Sequence, residues 1–135
     1  MKILEKLKHN HDLLKDTNIE KKIETFKNKI IERFKDNRIF FIGNGGSAAQ
    51  AQHFSTELIV RYNKKFKERS YPCISLCSDS VLITASANDY GYENIFERQL
   101  IGLSKKNDLL ISFSTSGNSK NLINAVKYAK KNNIE

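Results

Sequence analysis

The amino-acid sequence predicts an α/β fold, a parallel sheet with helices on both faces. Apolar runs at 38–42, 73–77 and 109–113 are continuous rather than alternating, as expected of strands buried on both sides. Helical periodicity follows each of them. Polar loops follow the first and third runs, at strand carboxyl ends, where open α/β sheets place their ligands.

The elements follow in order. Ile3, Leu4, Leu7, His11 and Leu14 mark one helical face, and Ile19, Ile23, Phe26, Ile30 and Phe34 step by four, three, four and four residues along a second helix. Arg38-Ile39-Phe40-Phe41-Ile42 is a compact strand, Gly43-Asn44-Gly45-Gly46-Ser47 a glycine-rich turn, and a helix runs from about Ser47 to Tyr62. The second strand, Cys73 to Cys77, begins after the only proline, Pro72. Val81 to Ala87 and Ile95 to Leu103 read as helices flanking the turn-rich Asn88-Asp89-Tyr90-Gly91. The third strand is Leu109 to Phe113, and its helix extends to about Lys131. Asn132-Asn133-Ile134-Glu135 reads as the turn into another strand. Because three strands make a thin sheet for such a fold, the chain is expected to be an N-terminal fragment. Its 135 residues are read as one domain, with N-terminal helices over 1–36 and an α/β core over 37–135.

Composition excludes several classes. A net charge of +8 comes mostly from lysines scattered over helix faces, with no arginine cluster or aromatic-interleaved basic stripe, so no nucleic-acid partner is expected. The densest basic stretch, 61–69, reads as a solvated loop, with an anion- or partner-facing loop as the alternative. No run of about 18 apolar residues exists for a membrane span. The N-terminus alternates charge where a signal peptide would be apolar, so a cytoplasmic location is expected. Cys73 and Cys77, four apart in one strand, stand ~13 Å apart, too far for a disulfide, and read as small core or half-core residues.

Ser114-Thr115-Ser116-Gly117-Asn118-Ser119 is the most informative stretch. Placed between a strand and a helix, it gathers hydroxyl donors and the free N–H groups of a helix N-terminus around one point, a cradle for phosphate. The alternative is a polar turn with a serine N-cap. Gly43 to Ala48 fits the dinucleotide fingerprint, but the only acidic candidate near the next strand, Asp79, lies 36 positions beyond Gly43. A turn that brings backbone close to a sugar or phosphate is the other reading. His53 and Glu57, four apart on one helical face, suit a divalent metal or a ligand-and-base pair, with a surface ion pair as the alternative. Asn88 and Asp89 are further candidates, against a turn that bonds only its own backbone. His9 and His11 are given no role.

Four ordered blocks carry a family resemblance: Gly43-Asn44-Gly45-Gly46-Ser47, His53-Phe54-Ser55-Thr56-Glu57-Leu58, Ala87-Asn88-Asp89-Tyr90-Gly91 and Ser114 to Ser119. On these the chain resembles phosphoheptose isomerases of the sugar isomerase (SIS) fold. The resemblance implies a three-layer α/β fold with an N-terminal helical hairpin. It implies a cytoplasmic, zinc-binding homotetramer with active sites where subunits meet. The enzyme would convert sedoheptulose 7-phosphate to D-glycero-heptose 7-phosphate for lipopolysaccharide or capsule heptose.

By position, Ser114, Thr115, Ser116 and Ser119 would hold the phosphate, while Asn44, Gly45, Gly46, Asn88 and Asp89 would line the sugar. His53 and Glu57 match the first metal ligands, and Glu57 also matches the catalytic carboxylate. The family completes its metal site with a Gln and a His from a C-terminal helix that these 135 residues do not contain, so they are expected to be inactive alone and to bind zinc weakly. The rival is a non-catalytic SIS-domain sugar-phosphate-binding protein associated with the replication initiator. Such a relative lacks a carboxylate at the Glu57 position and carries Arg at the Ser116 position, and both differences favour the isomerase.

Overall fold

The computed structural model describes residues 8, 12, 17–33, 37–61 and 70–135. Apart from residues 8 and 12, the expected helix over 3–14 lies outside the described residues, as do Phe34 and the basic stretch 62–69. The chain divides into a unit of residues 1–32 and a unit of residues 33–135. The helix of the first, α1 (Thr17–Arg33), keeps the periodicity read from the sequence, and Ile23 and Phe26 of its apolar stripe are exposed.

The second unit is built on three parallel strands, β1 (Ile39–Ile42), β2 (Cys73–Ser75) and β3 (Leu109–Ser112), in the order β2-β1-β3. Ile39 aligns with both Cys73 and Leu109, and Ile42 aligns with Ser112. All of β1 is buried, as its unbroken apolar run predicts for the middle strand. Its alternate side chains serve two faces. Phe40 and Ile42 join a core with Leu76, Ile95, Phe96, Leu100, Leu122 and Ala125. Most of that core comes from α4 (Ile95–Leu103) and α5 (Lys120–Lys131). On the other face Phe41 meets Phe54 of α2 (Gly46–Thr56), with ring centroids 6.3 Å apart. Burying each of Phe40, Phe41 and Ile42 contributes about 1.5–3 kcal/mol. The result is the expected three-layer α/β fold, with α2 on one face of the sheet and α4 and α5 on the other. Between β2 and α4 lies α3 (Ser80–Tyr90).

Several boundaries differ from the sequence reading. The second strand ends at Ser75, and Cys77 lies in the turn after it. There the Gln99 side chain donates to the Leu76 carbonyl at 3.0 Å and the Gln52 side chain to the Cys77 carbonyl at 3.1 Å. Both carbonyls are thereby drawn off the strand ladder. Asn88, Asp89 and Tyr90 are not a turn; they form the last turn of α3, which ends only at Gly91, where φ is 84°. The helix expected to reach Tyr62 keeps α geometry to Thr56 and continues as a π-helix over Glu57–Arg61.

Asp108 is fully buried ahead of β3. Its carboxylate accepts the Arg38 N–H at 2.9 Å and the Lys105 N–H at 2.8 Å, which satisfies a charge that would otherwise be costly to bury. After α5 the chain returns to the outer edge of β3. The Glu135 N–H donates to the Asp108 carbonyl and the Leu110 N–H to the Glu135 carbonyl.

Candidate functional site

Two loops leave neighbouring strands at the same level. Ile42 is aligned with Ser112, and the Phe113 N–H donates to the Ile42 carbonyl at 2.9 Å. From there β1 leads to α2 on one face and β3 leads to α5 on the other. The two connections diverge and leave a crevice at the strand carboxyl ends, the usual ligand position in such sheets.

The first loop is held tight. The Ser47 N–H donates to the Asn44 carbonyl at 3.0 Å, and the Ala49 N–H to the Gly45 carbonyl at 3.1 Å. Gly45 adopts a φ of 54°, so a side chain there would be strained. The backbone N–H groups that begin α2 at Gly46 face the crevice end of the sheet, suited to a sugar oxygen or an anion. The Cys77 thiol donates to the Gly43 carbonyl at 3.4 Å, and burial pushes that thiol up from its ordinary pKa. Cys73 is buried in β2, its pKa pushed up to about 12 by desolvation; both are free thiols, as the core reading expected. Asp79 accepts the Val81 and Leu82 N–H groups, each at 2.9 Å, and so caps α3. The dinucleotide fingerprint therefore has no free acidic partner at that position.

In the second loop, Ser114 Oγ accepts the Gly117 N–H at 2.9 Å and Ser116 Oγ accepts the Asn118 N–H at 3.2 Å. Each oxygen is fixed by the loop's own backbone, so each hydroxyl hydrogen is left to donate outward. Gly117, at a φ of 68°, makes the turn possible. Ser119 is the N-cap of α5 but makes no side-chain capping bond, so its hydroxyl is also available to a ligand. Residues 114–118 are all exposed. The loop thus presents hydroxyl donors above a helix N-terminus, the arrangement that suits phosphate.

His53 and Glu57 lie one turn apart at the end of α2, and the Glu57 N–H donates to the His53 and Phe54 carbonyls. Glu57 is also the first residue of the π-helix; such segments are frequent at functional sites. Between the pair, Phe54 packs against Phe113 at 5.2 Å between ring centroids, which ties this end of α2 to the start of the serine loop. An imidazole and a carboxylate on one helical face fit a zinc ion in kind. Among the described residues no group of three His, Cys, Asp or Glu is placed to hold a metal, so the pair supplies only part of a donor set.

Asn88 and Asp89 are exposed at the end of α3, with the Asn88 amide donating to the Asp89 carboxylate at 2.8 Å. The segment that follows is fastened to α5. The Asn124 amide donates to the Glu93 carbonyl and to the Asn94 side-chain oxygen, both at 3.1 Å. Tyr92 reaches the first loop, its hydroxyl donating to Asn44 Oδ1 at 3.3 Å. Asn44 also exchanges two hydrogen bonds with Asn121, a buried residue of α5. Asn121, Tyr92, Asn94 and Asn124 were not candidates on sequence; their partners lie up to 77 positions away, and no local spacing signals such pairs.

The SIS domain family matches residues 4–135. A phosphoheptose isomerase of Aliarcobacter butzleri is 51% identical over 108 residues, which is 80% of this chain and 52% of that protein. The solved structure of phosphoheptose isomerase from Neisseria gonorrhoeae superposes with a TM-score of 0.67 at 32% identity, over 95% of this chain and 71% of that one. That of a phosphoheptose isomerase from Francisella tularensis gives a TM-score of 0.75 at 28% identity, over 100% and 73%. The chain spans about half the length of the curated relatives it matches. The chain belongs to the SIS domain family, a membership it shares with these phosphoheptose isomerases.

Proposed function

We propose that this chain carries the substrate-binding half of a phosphoheptose isomerase site, which converts sedoheptulose 7-phosphate to D-glycero-heptose 7-phosphate. The observation that carries the reading is the Ser114–Ser119 loop, its hydroxyl oxygens fixed by backbone N–H groups beside the glycine-rich loop. Ser114, Thr115, Ser116 and Ser119 hold the phosphate, together with the N-terminus of α5. Asn44, Gly45 and Gly46 line the sugar, and Asn88 and Asp89 close its far side.

The chemistry asks for a base near the sugar carbonyl. Glu57 takes a proton from C1 of the ketose, the C–H electrons form the C1–C2 double bond, and the carbonyl oxygen takes the charge. The proton is then returned to C2 while the C1 hydroxyl proton passes to the C2 oxygen, which leaves an aldehyde at C1 and a hydroxyl at C2. Fixing the phosphate at one end holds C1 in register with Glu57. His53 and Glu57 would hold one side of a zinc ion, which when bound supplies electrostatic stabilisation of a developing oxyanion. Among the described residues of one chain no third His, Cys, Asp or Glu joins this pair.

A homotetramer fits the apolar side chains that a single chain leaves exposed, among them Val60 and Val81, the latter 74% exposed. A cytoplasmic enzyme supplying heptose for lipopolysaccharide or capsule accords with the absence, among the described residues, of a helix long and apolar enough to cross a membrane. The relatives named above are isomerases, and none supports the replication-initiator partner.

The test has two parts. Titration of sedoheptulose 7-phosphate into the protein is expected to show saturable binding that inorganic phosphate competes away. The full-length gene product with Zn²⁺ is expected to form heptose 7-phosphate. Binding without turnover would leave a sugar-phosphate-binding protein in its place, and no binding would overturn the reading.

A further inference from the structure

We propose that Asn121 is a positioning residue that fixes Asn44 as a hydrogen-bond donor to the sugar, an inference that rests on the sugar-phosphate reading above and deepens it. Asn121 is the second residue of α5 and only 2% exposed. Its side-chain oxygen accepts the Leu122 N–H at 2.9 Å. Turning the amide over would set its NH₂ group against that N–H, so the helix backbone selects one orientation. In that orientation Asn121 Nδ2 donates to Asn44 Oδ1 at 2.8 Å, and Asn121 Oδ1 accepts from Asn44 Nδ2 at 2.9 Å. Tyr92, on the other side, donates its hydroxyl to the same Asn44 oxygen at 3.3 Å.

The consequence follows from counting. An asparagine side chain has two acceptor lone pairs and two N–H donors. Both lone pairs of Asn44 are engaged by Asn121 and Tyr92, and one of its two donors is engaged by Asn121. What remains for a ligand is a single N–H. Asn44 itself is half-buried at the start of the glycine-rich loop, beside the crevice. A donor there recognises an oxygen lone pair, from a hydroxyl or from an oxygen that gains negative charge, and it discriminates against a group that can only donate. The pair also joins the loop after β1 to the helix after the serine loop, so the sugar and phosphate subsites keep a fixed spacing.

The experiment is a double-mutant cycle of Asn44→Ala and Asn121→Ala, read by titration with sedoheptulose 7-phosphate and with inorganic phosphate. Alongside it, ¹⁵N–¹H spectra follow the Asn44 side-chain amide. Asn121→Ala is expected to weaken the sugar phosphate by roughly ten-fold, yet by less than about two-fold when Asn44 is already alanine. Inorganic phosphate affinity should stay within about two-fold throughout, which a general loss of structure would not allow. The Asn44 amide signals should move in Asn121→Ala even without ligand. Additive losses, a parallel loss of inorganic phosphate, or unmoved Asn44 signals would overturn the inference. If the parent protein binds phosphate but not the sugar phosphate, the functional reading fails separately. The Asn44 spectrum then decides the positioning role alone.

Discussion

A Cβ placed on Gly43 lies 2.5 Å from the carbonyl oxygen of Ser47 and 2.9 Å from the Ala48 nitrogen. The first residue of the glycine-rich loop is therefore packed against the backbone of the first turn of α2. No flexible side chain is available to give way there. Gly43→Ala should cost about 1–3 kcal/mol in denaturant unfolding, by overpacking. It should also weaken sugar-phosphate binding, because the helix start must shift away from the crevice. A variant as stable as the parent would contradict so close an approach.

The serine loop makes the second prediction. Ser114→Ala and Ser116→Ala each remove a hydroxyl whose oxygen is already fixed by a backbone N–H. A hydrogen bond to a charged phosphate is worth about 1.5–3 kcal/mol, so each variant should bind sedoheptulose 7-phosphate roughly ten-fold to a hundred-fold more weakly. Calorimetry checks this, and unchanged affinity in both would remove the loop from the site.

Glu57→Gln keeps the size and most hydrogen bonding of the side chain but removes its basicity. In the full-length gene product, turnover should fall by roughly 10²- to 10⁴-fold while sugar-phosphate affinity changes little. In the same protein, His53→Ala should weaken Zn²⁺ by roughly ten-fold or more, measured by competition with a chromogenic chelator.

Much of this arrangement was legible in the sequence, and the limits are physical. Apolar runs marked the strands, most plainly β1, whose four residues are all buried and show no polar side. The serine loop stood out because its hydroxyls cluster in the chain itself. Strand and helix ends were less so. Cys77 left the second strand because Gln52 and Gln99 capture carbonyls there from other elements. Asn88 to Tyr90 stayed helical, and the helix ends only where Gly91 takes a φ of 84°. The Asn44–Asn121 and Phe54–Phe113 contacts were not legible at all, since each joins segments that meet only in the folded sheet.

The buried Cys73 thiol gives a pH prediction. Its pKa is pushed up to about 12 from 9.0, so the folded state holds its proton longer than the unfolded chain does. Below pH 9 the thiol is neutral in both states and its contribution is fully present. As pH rises from 9 toward 12 the unfolded chain ionises first, and stability falls by up to about 1.4 kcal/mol per pH unit. Urea midpoints between about pH 8 and 10.5 should fall more steeply for the parent than for Cys73→Ala. Parallel curves would contradict this.

The crevice between the glycine-rich and serine loops is expected to bind a sugar phosphate. Backbone amide shifts during titration with sedoheptulose 7-phosphate test it most directly. Saturable shifts are predicted at Ser114–Ser119 and Asn44–Gly46, with inorganic phosphate reproducing only those of the serine loop. Saturation with shifts confined elsewhere, or none at all, would contradict it.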